Sequence, residues 1–466
     1  MADDLHALPA TDLLAAYRAG DLSPVDAVAA CLARSEALDG ICNGFCVVSE
    51  TALDEARAAE ARWRAGTPLG PLDGVPTSIK DILLTRGWPT LRGSTTVDPA
   101  GPWPDDAPAV ARLREAGAVL VGKTTTPEFG WKGMTDSPLT GITRNPWDPT
   151  RTAGGSSGGA AVAAALGMAA LNVGTDGGGS IRMPAGFSGI VGLKPTFGVV
   201  PAWPLSVFGT VAHLGPMTRS AADAALMLDV MAAPDHRDWH AVPVRVDAAA
   251  GLEGGVRGLR IAYSATLGHA RVDPEVAALV ARAAAAFEAL GAHVEAVDPG
   301  FADPDETFRR HWFPSAAYAV GQVPEERRAA MDPGLLEIAR QGAAMTLQEH
   351  LAAVQARGAL GLAMNRFHET YDLLLTPTLP IPAFAADPAD RPADFPADPD
   401  WPRWTPFTYP FNLTQQPAAS VPCGLTAAGL PVGLQIVGPK FADALVLRAA
   451  HEYERAHPAP LPDLRA

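Results

Sequence analysis

Lysine and cysteine are both scarce in this chain. Of 466 residues only five of the 36 basic ones are lysine, and only Cys31, Cys42, Cys46 and Cys423 are cysteine. So few thiols exclude a disulfide-stapled scaffold. No second Cys or His pair at ligand spacing follows Cys42 and Cys46, so they read as buried thiols and no metal is expected. No segment reaches the roughly 18 consecutive apolar residues of a membrane span. The opening MADDLHALPATDLLAAY carries acids and no apolar run, so neither a signal nor a transit peptide is expected and the location predicted is cytoplasmic. Positive charge is short as well, with 36 basic against 51 acidic residues and a net charge of −15. A nucleic-acid or anionic-membrane footprint, which needs clustered Lys and Arg, is not expected. No repeat of fixed period occurs.

What is present is a large apolar fraction, 48%, arranged in short runs. Ser23-Pro24 reads as a helix start, with serine as N-cap and proline at N1, and alanine-rich helical pattern fills about 24–37 and 50–66 within an N-terminal helical segment, 1–70. From Gly74 onward apolar runs (Val75–Leu84, Ala118–Gly122, Ala169–Val173, Leu259–Tyr263, His293–Val297, Leu373–Leu375, Leu434–Val437) alternate with helical stretches such as Pro274–Leu290 and Leu347–Tyr371. That alternation predicts an α/β fold with a largely parallel or mixed sheet covered on both faces. The segment Ile381–Trp404, rich in Pro, Ala and Asp, is read as a long loop near the active site within a single domain, because strand patterns on either side of it suit one sheet.

The chemistry concentrates in residues 151–196, RTAGGSSGGAAVAAALGMAALNVGTDGGGSIRMPAGFSGIVGLKPT, where two Gly/Ser clusters flank a helix (Ala160–Leu166) and a strand (Ala169–Val173). In Gly177-Gly178-Gly179-Ser180 consecutive N–H groups can converge beside a hydroxyl, the layout of an oxyanion hole with its nucleophile. A serine needs a base. None of the eleven histidines falls in a glycine-rich or strand-end context, whereas Lys80 ends the strand pattern GVPTSIK, where desolvation can leave its amine neutral. Gly154-Gly155-Ser156-Ser157-Gly158 matches the GxSxG elbow of α/β-hydrolases, but NPWDPTRTA before it contains no strand, so that elbow is set aside.

The blocks GVPTSIKD, GKTTTPEFG, TRNPWDPTRTAGGSSGG, TDGGGSIRMPAGFSGIVGLKPT and NLTQQPAASVPCGLTAAGLPVGLQIVG, in this order over residues 74–438, resemble the amidase signature family. The resemblance implies one α/β domain around a large mixed sheet, no cofactor, and a Ser–cisSer–Lys triad carried by Lys80, Ser156 and Ser180. It implies that Ser180 attacks the carbonyl, that Lys80 and Ser156 relay its proton, and that backbone N–H groups of residues 177–180 hold the oxyanion. It also sets Gly130, in the EFG turn, beside the substrate. Trp131, Trp203 and Phe208 are candidate pocket aromatics. Asp176 and Arg182 are expected to pair and hold the loop, Lys123 and Lys194 to support the fold, and Ser157 to hydrogen-bond to Ser156 or Lys80.

Two departures bear on substrate. Gly177 replaces a residue that is larger in many members, which suggests a roomier site, and Thr125 stands where Asn is common. The alternative within the family is the A subunit of a tRNA-dependent glutamine amidotransferase, which needs a partner polypeptide and usually carries an acid before its NL-x-G-x-P block. WPRWTPFTYPFNLTQQP holds no Asp or Glu, and Gln415 takes the place of the usual glycine. The reading is therefore a stand-alone hydrolase, monomer or homodimer, acting on neutral apolar or aryl amides, with carbamates and esters as further substrates.

Overall fold

The structure is a computed structural model describing residues 5–392, 395 and 399–464. Among these residues eleven strands form one mixed sheet: β1 (Phe45–Val48), β2 (Pro76–Lys80), β3 (Val119–Thr124), β4 (Leu171–Asp176), β5 (Val191–Lys194), β6 (His213–Thr218), β7 (Arg260–Tyr263), β8 (His293–Ala296), β9 (Leu373–Pro377), β10 (Ala418–Leu425) and β11 (Pro431–Val437). Their spatial order is β1-β3-β2-β4-β6-β5-β10-β11-β9-β7-β8. Every residue of β2, β3 and β11 is buried. Side chains alternate between faces along a strand, so both faces of the sheet are covered there, as the continuous apolar runs require.

Each expected apolar run overlaps a strand, and β1, β5, β6 and β10 form outside those runs. β6, HLGPMT, was not anticipated because Pro216 and Gly215 argue against a strand, yet it pairs antiparallel with β4 from Leu171↔Thr218 to Asp176↔His213. The helix expected over 24–37 runs from Pro24 to Cys42, with Ser23 Oγ accepting from Val25 N at 3.0 Å. A helix at Ala10–Ala19 precedes it.

Two relationships position the site. β2 runs parallel to β4 in the register Ile79↔Val173, so Lys80 and Asp176 both lie at the C-terminal ends of neighbouring parallel strands, where open α/β sheets place their crevices. The described part of 381–404 is irregular apart from short turns at Pro388–Asp390 and Trp401–Trp404. None of its described residues lines the cavity that holds Ser156 and Ser180. Trp401 and Trp404 are buried among Phe308, Met183 and Phe187, so the returning end of the loop packs against Gly178.

Candidate active site

Lys80 is the last residue of β2, and its side chain is fully buried. Its Nζ lies 2.7 Å from Ser156 Oγ, 2.8 Å from Ser157 Oγ and 2.8 Å from Thr175 Oγ1. Burial pulls its pKa well below the ordinary 10.5, against an opposing pull from the Asp176 charge. The surrounding hydrogen bonds suit a neutral amine. Ser157 Oγ donates to Thr175 O at 3.1 Å, so toward Lys80 it accepts. A neutral amine with two N–H donors serves Ser157 and Thr175 and keeps its lone pair for the Ser156 proton. Ser157 thus meets its expectation as a partner of Lys80, and Thr175, which the sequence reading passed over, completes the cradle.

Ser156 follows a cis peptide bond from Gly155. Ser157 N donates to Ser180 O at 3.1 Å, which ties the two Gly/Ser clusters together. Ser156 and Ser180 open on one cavity of about 350 Å³, and Ser180 Oγ has no hydrogen-bond partner among the described residues. Contacts of this kind tighten when substrate binds.

Asp176 organises the loop that carries Ser180. Its Oδ1 accepts from Gly179 N (2.8 Å), Arg182 Nη2 (2.9 Å) and Asn412 Nδ2 (2.8 Å), and its Oδ2 accepts from Ile181 N (3.2 Å) and Arg182 Nε (3.0 Å). Burial opposes ionisation, but Arg182 beside it prevails and holds the carboxyl well below its usual range. The expected pairing of Asp176 with Arg182 is therefore present. It also corrects the oxyanion reading: the Gly179 N–H is committed to Asp176, while those of Gly177, Gly178 and Ser180 have no acceptor among the described residues. Glycine is needed at 178, where a Cβ would come within 2.7 Å of Phe308 and 2.8 Å of Trp401.

The cavity has two walls. One carries Ile82, Arg92, Phe129 and Gly130, and a Cβ on Gly130 would stand 3.3 Å from Ser156 Oγ. The other carries Trp203, Phe208 and Trp312, with Phe208 stacked on Trp312 at 3.7 Å. Trp203 and Phe208 lie where the sequence reading put them. Trp131 does not: it is fully buried outside the lining, where its carbonyl accepts from Trp312 Nε1 at 3.0 Å, so it holds the pocket aromatic in place without being one. Trp312 also corrects the reading of Gly177. A Cβ there would meet Trp312 Cζ3 at 2.7 Å, so the indole fills the space that glycine vacates and the site is not enlarged. No sequence pattern marks Trp312, which arrives from the distant helix Asp305–Gly321.

The remaining marked residues are structural. Lys123 Nζ lies 2.8 Å from Asp81 Oδ1, and Lys194 Nζ donates to the carbonyls of Gln416 and Pro195. His213 lines the cavity, but its Nδ1 is 2.8 Å from Val211 O and, among the described residues, no histidine hydrogen-bonds to Ser156 or Ser180. Among the described residues no group of three or more His, Cys, Asp or Glu is placed to hold a metal. No described helix is long and apolar enough to cross a membrane.

Known proteins share this architecture. The family model described as Amidase matches residues 26–447. The chain is 39% identical to an acylamidase of Rhodococcus erythropolis over 98% of this chain and 96% of that one. It is 37% identical to the A subunit of the glutamyl-tRNA(Gln) amidotransferase of Myxococcus xanthus, over 96% of each. Among solved structures, a bacterial aryl acylamidase of the amidase signature family superposes with a TM-score of 0.90 at 32% identity, over 97% of this chain and 96% of that one. A 6-aminohexanoate cyclic dimer hydrolase complexed with substrate gives 0.87 at 30% identity, over 99% of each.

Proposed function

The chain belongs to the amidase family and is an amide-hydrolysing enzyme, and we propose that it acts alone on apolar or aryl amides through an acyl-enzyme on Ser180, with aryl carbamates and esters as further substrates. The observation that carries this reading is the desolvated Lys80 amine, 2.7 Å from Ser156 Oγ at the floor of a largely apolar cavity.

Neutral Lys80 takes the Ser156 proton as Ser156 takes that of Ser180. Ser180 Oγ then bonds to the substrate carbonyl carbon. The carbonyl oxygen becomes an oxyanion received by the uncommitted N–H groups of Gly177, Gly178 and Ser180. Ser156 returns a proton to the substrate nitrogen, the C–N bond breaks and the amine departs. A water molecule repeats the sequence on the acyl-enzyme, giving the carboxylic acid and free Ser180. The step at nitrogen decides the chemistry, because an amine leaves poorly unless it is protonated in the transition state.

The amidotransferase reading has the support of relatives at 37% identity. Against it stands the charge of the cavity. Its lining holds one carboxylate, Asp176, and both oxygens of that group are already taken by Arg182, Asn412 and backbone N–H groups. No uncommitted carboxylate is left in that lining for the α-ammonium of glutamine. Assay of the purified chain alone with a short-chain anilide and with glutamine tests the proposal. Release of the aniline without another polypeptide supports it, and a clear preference for glutamine overturns it.

A further inference from the structure

One cation on the Gly130 wall makes no ion pair among the described residues. Arg92 lines the cavity with its side chain half-buried, and among the described residues no acceptor lies within hydrogen-bond or ion-pair distance of its guanidinium. The acid whose charge reaches it is Asp81, and that carboxylate is occupied elsewhere. Asp81 pairs with Lys123 Nζ at 2.8 Å. No ion pair joins Asp81 to the guanidinium of Arg92, and the Arg92 backbone is held instead through its carbonyl, which accepts from Phe129 N. That backbone is left-handed, φ 57°, a conformation disfavoured for any residue with a side chain and often kept where a site requires it.

Position says what Arg92 faces. Its carbonyl accepts from Phe129 N at 2.7 Å, Gly130 follows, and Gly130 lies against Ser156. Arg92, Phe129, Gly130 and Ser156 thus form one continuous wall. In the mechanism above Ser156 protonates the departing nitrogen, so this wall flanks the amine portion of the substrate. The aromatic wall beside Gly177 is left for the acyl portion.

We propose that Arg92 is a specificity-determining residue that receives a carboxylate carried on the amine portion of the substrate, so that N-acylated aminobenzoates and similar acylated amino acids are favoured over neutral amides of the same shape. The guanidinium offers a planar pair of N–H donors that fits a carboxylate, and in a mostly apolar cavity such a charge-assisted pair is worth more than in water. The proposal rests on the acyl-enzyme reading, which fixes the side of the cavity on which the amine leaves.

The test is kcat/KM for 4-acetamidobenzoate and for 4-methylacetanilide with the wild type, with Arg92→Gln, and with Arg92→Gly, which suits the left-handed backbone. Each protein's own rate on the methyl compound is the denominator, so any general loss of activity or folding cancels. So does the electronic difference between the two anilines. The ratio should fall at least about tenfold in both variants, the size of a charged hydrogen bond, and 4-aminobenzoate should inhibit the wild type more strongly than either variant. Hydrolysis of the methyl compound with a ratio that is the same in all three proteins overturns the role of Arg92 alone. Hydrolysis of neither anilide by the wild type overturns the aryl-amide reading and this proposal with it.

Discussion

The indole of Trp312 occupies the place of a side chain at residue 177: a Cβ built on Gly177 would stand 2.7 Å from Cζ3 and 2.9 Å from Cη2. Trp312 is itself held by Trp131 O at 3.0 Å and by the ring of Phe208 stacked on it. The 177–180 loop and the aromatic wall are therefore shaped against each other.

Gly177→Ala should lower both stability and kcat/KM, by about 1–3 kcal/mol for overpacking. In Gly177→Ala/Trp312→Phe, where the clashing ring atoms are gone, part of that loss should return. A double-mutant cycle reads the coupling directly. Additive effects would show that the two residues do not compete for this space.

Lys80→Ala should reduce kcat by at least about 10²-fold, the lower range for losing a general base. The pH profile follows from the direction of the Lys80 shift. The base works only when neutral, so activity falls as pH drops through its pKa, and because burial lowers that pKa the acid limb of kcat/KM should lie well below 10.5. A profile that kept rising until pH approached 10.5 would mean an ordinary, solvated lysine.

Leaving groups should rank by how little protonation they need. At matched acyl size the order of kcat/KM should be p-nitrophenyl ester, then anilide or aryl carbamate, then alkyl amide. Measured rates with alkyl amides first would imply a site that selects for the amine by contacts other than those of the Ser156 wall.

Much of the centre was legible because its signals are local. Lys80 ends an apolar run that becomes β2, and the glycines around Ser156 and Ser180 mark close backbone approach whatever surrounds them. The Gly179 amide departs from the expectation because its acceptor, the Asp176 side chain, sits on a tight turn whose shape the letters TDGGGS do not fix. Trp312, Thr175 and Arg92 were passed over for a different reason. Thr175 acquires its place from Lys80, Trp312 from Gly177 and Arg92 from the wall it forms with Phe129, all distant in the chain, and such residues carry no pattern of their own. β6 was missed because Pro216 argues against a strand. Likewise Gln415, where the family prefers glycine, adopts a left-handed φ of 64° that glycine would accept without strain.

In the proposed mechanism Ser180 forms the acyl-enzyme while Ser156 and Lys80 only move its proton. Intact-mass measurement after exposure to a fluorophosphonate tests it most directly, using the wild type, Ser180→Ala and Ser156→Ala. The wild type should gain one adduct that maps to Ser180, Ser180→Ala should gain none, and Ser156→Ala should label at Ser180 more slowly. Labelling that persisted in Ser180→Ala and vanished in Ser156→Ala would move the nucleophile to Ser156 and contradict the account.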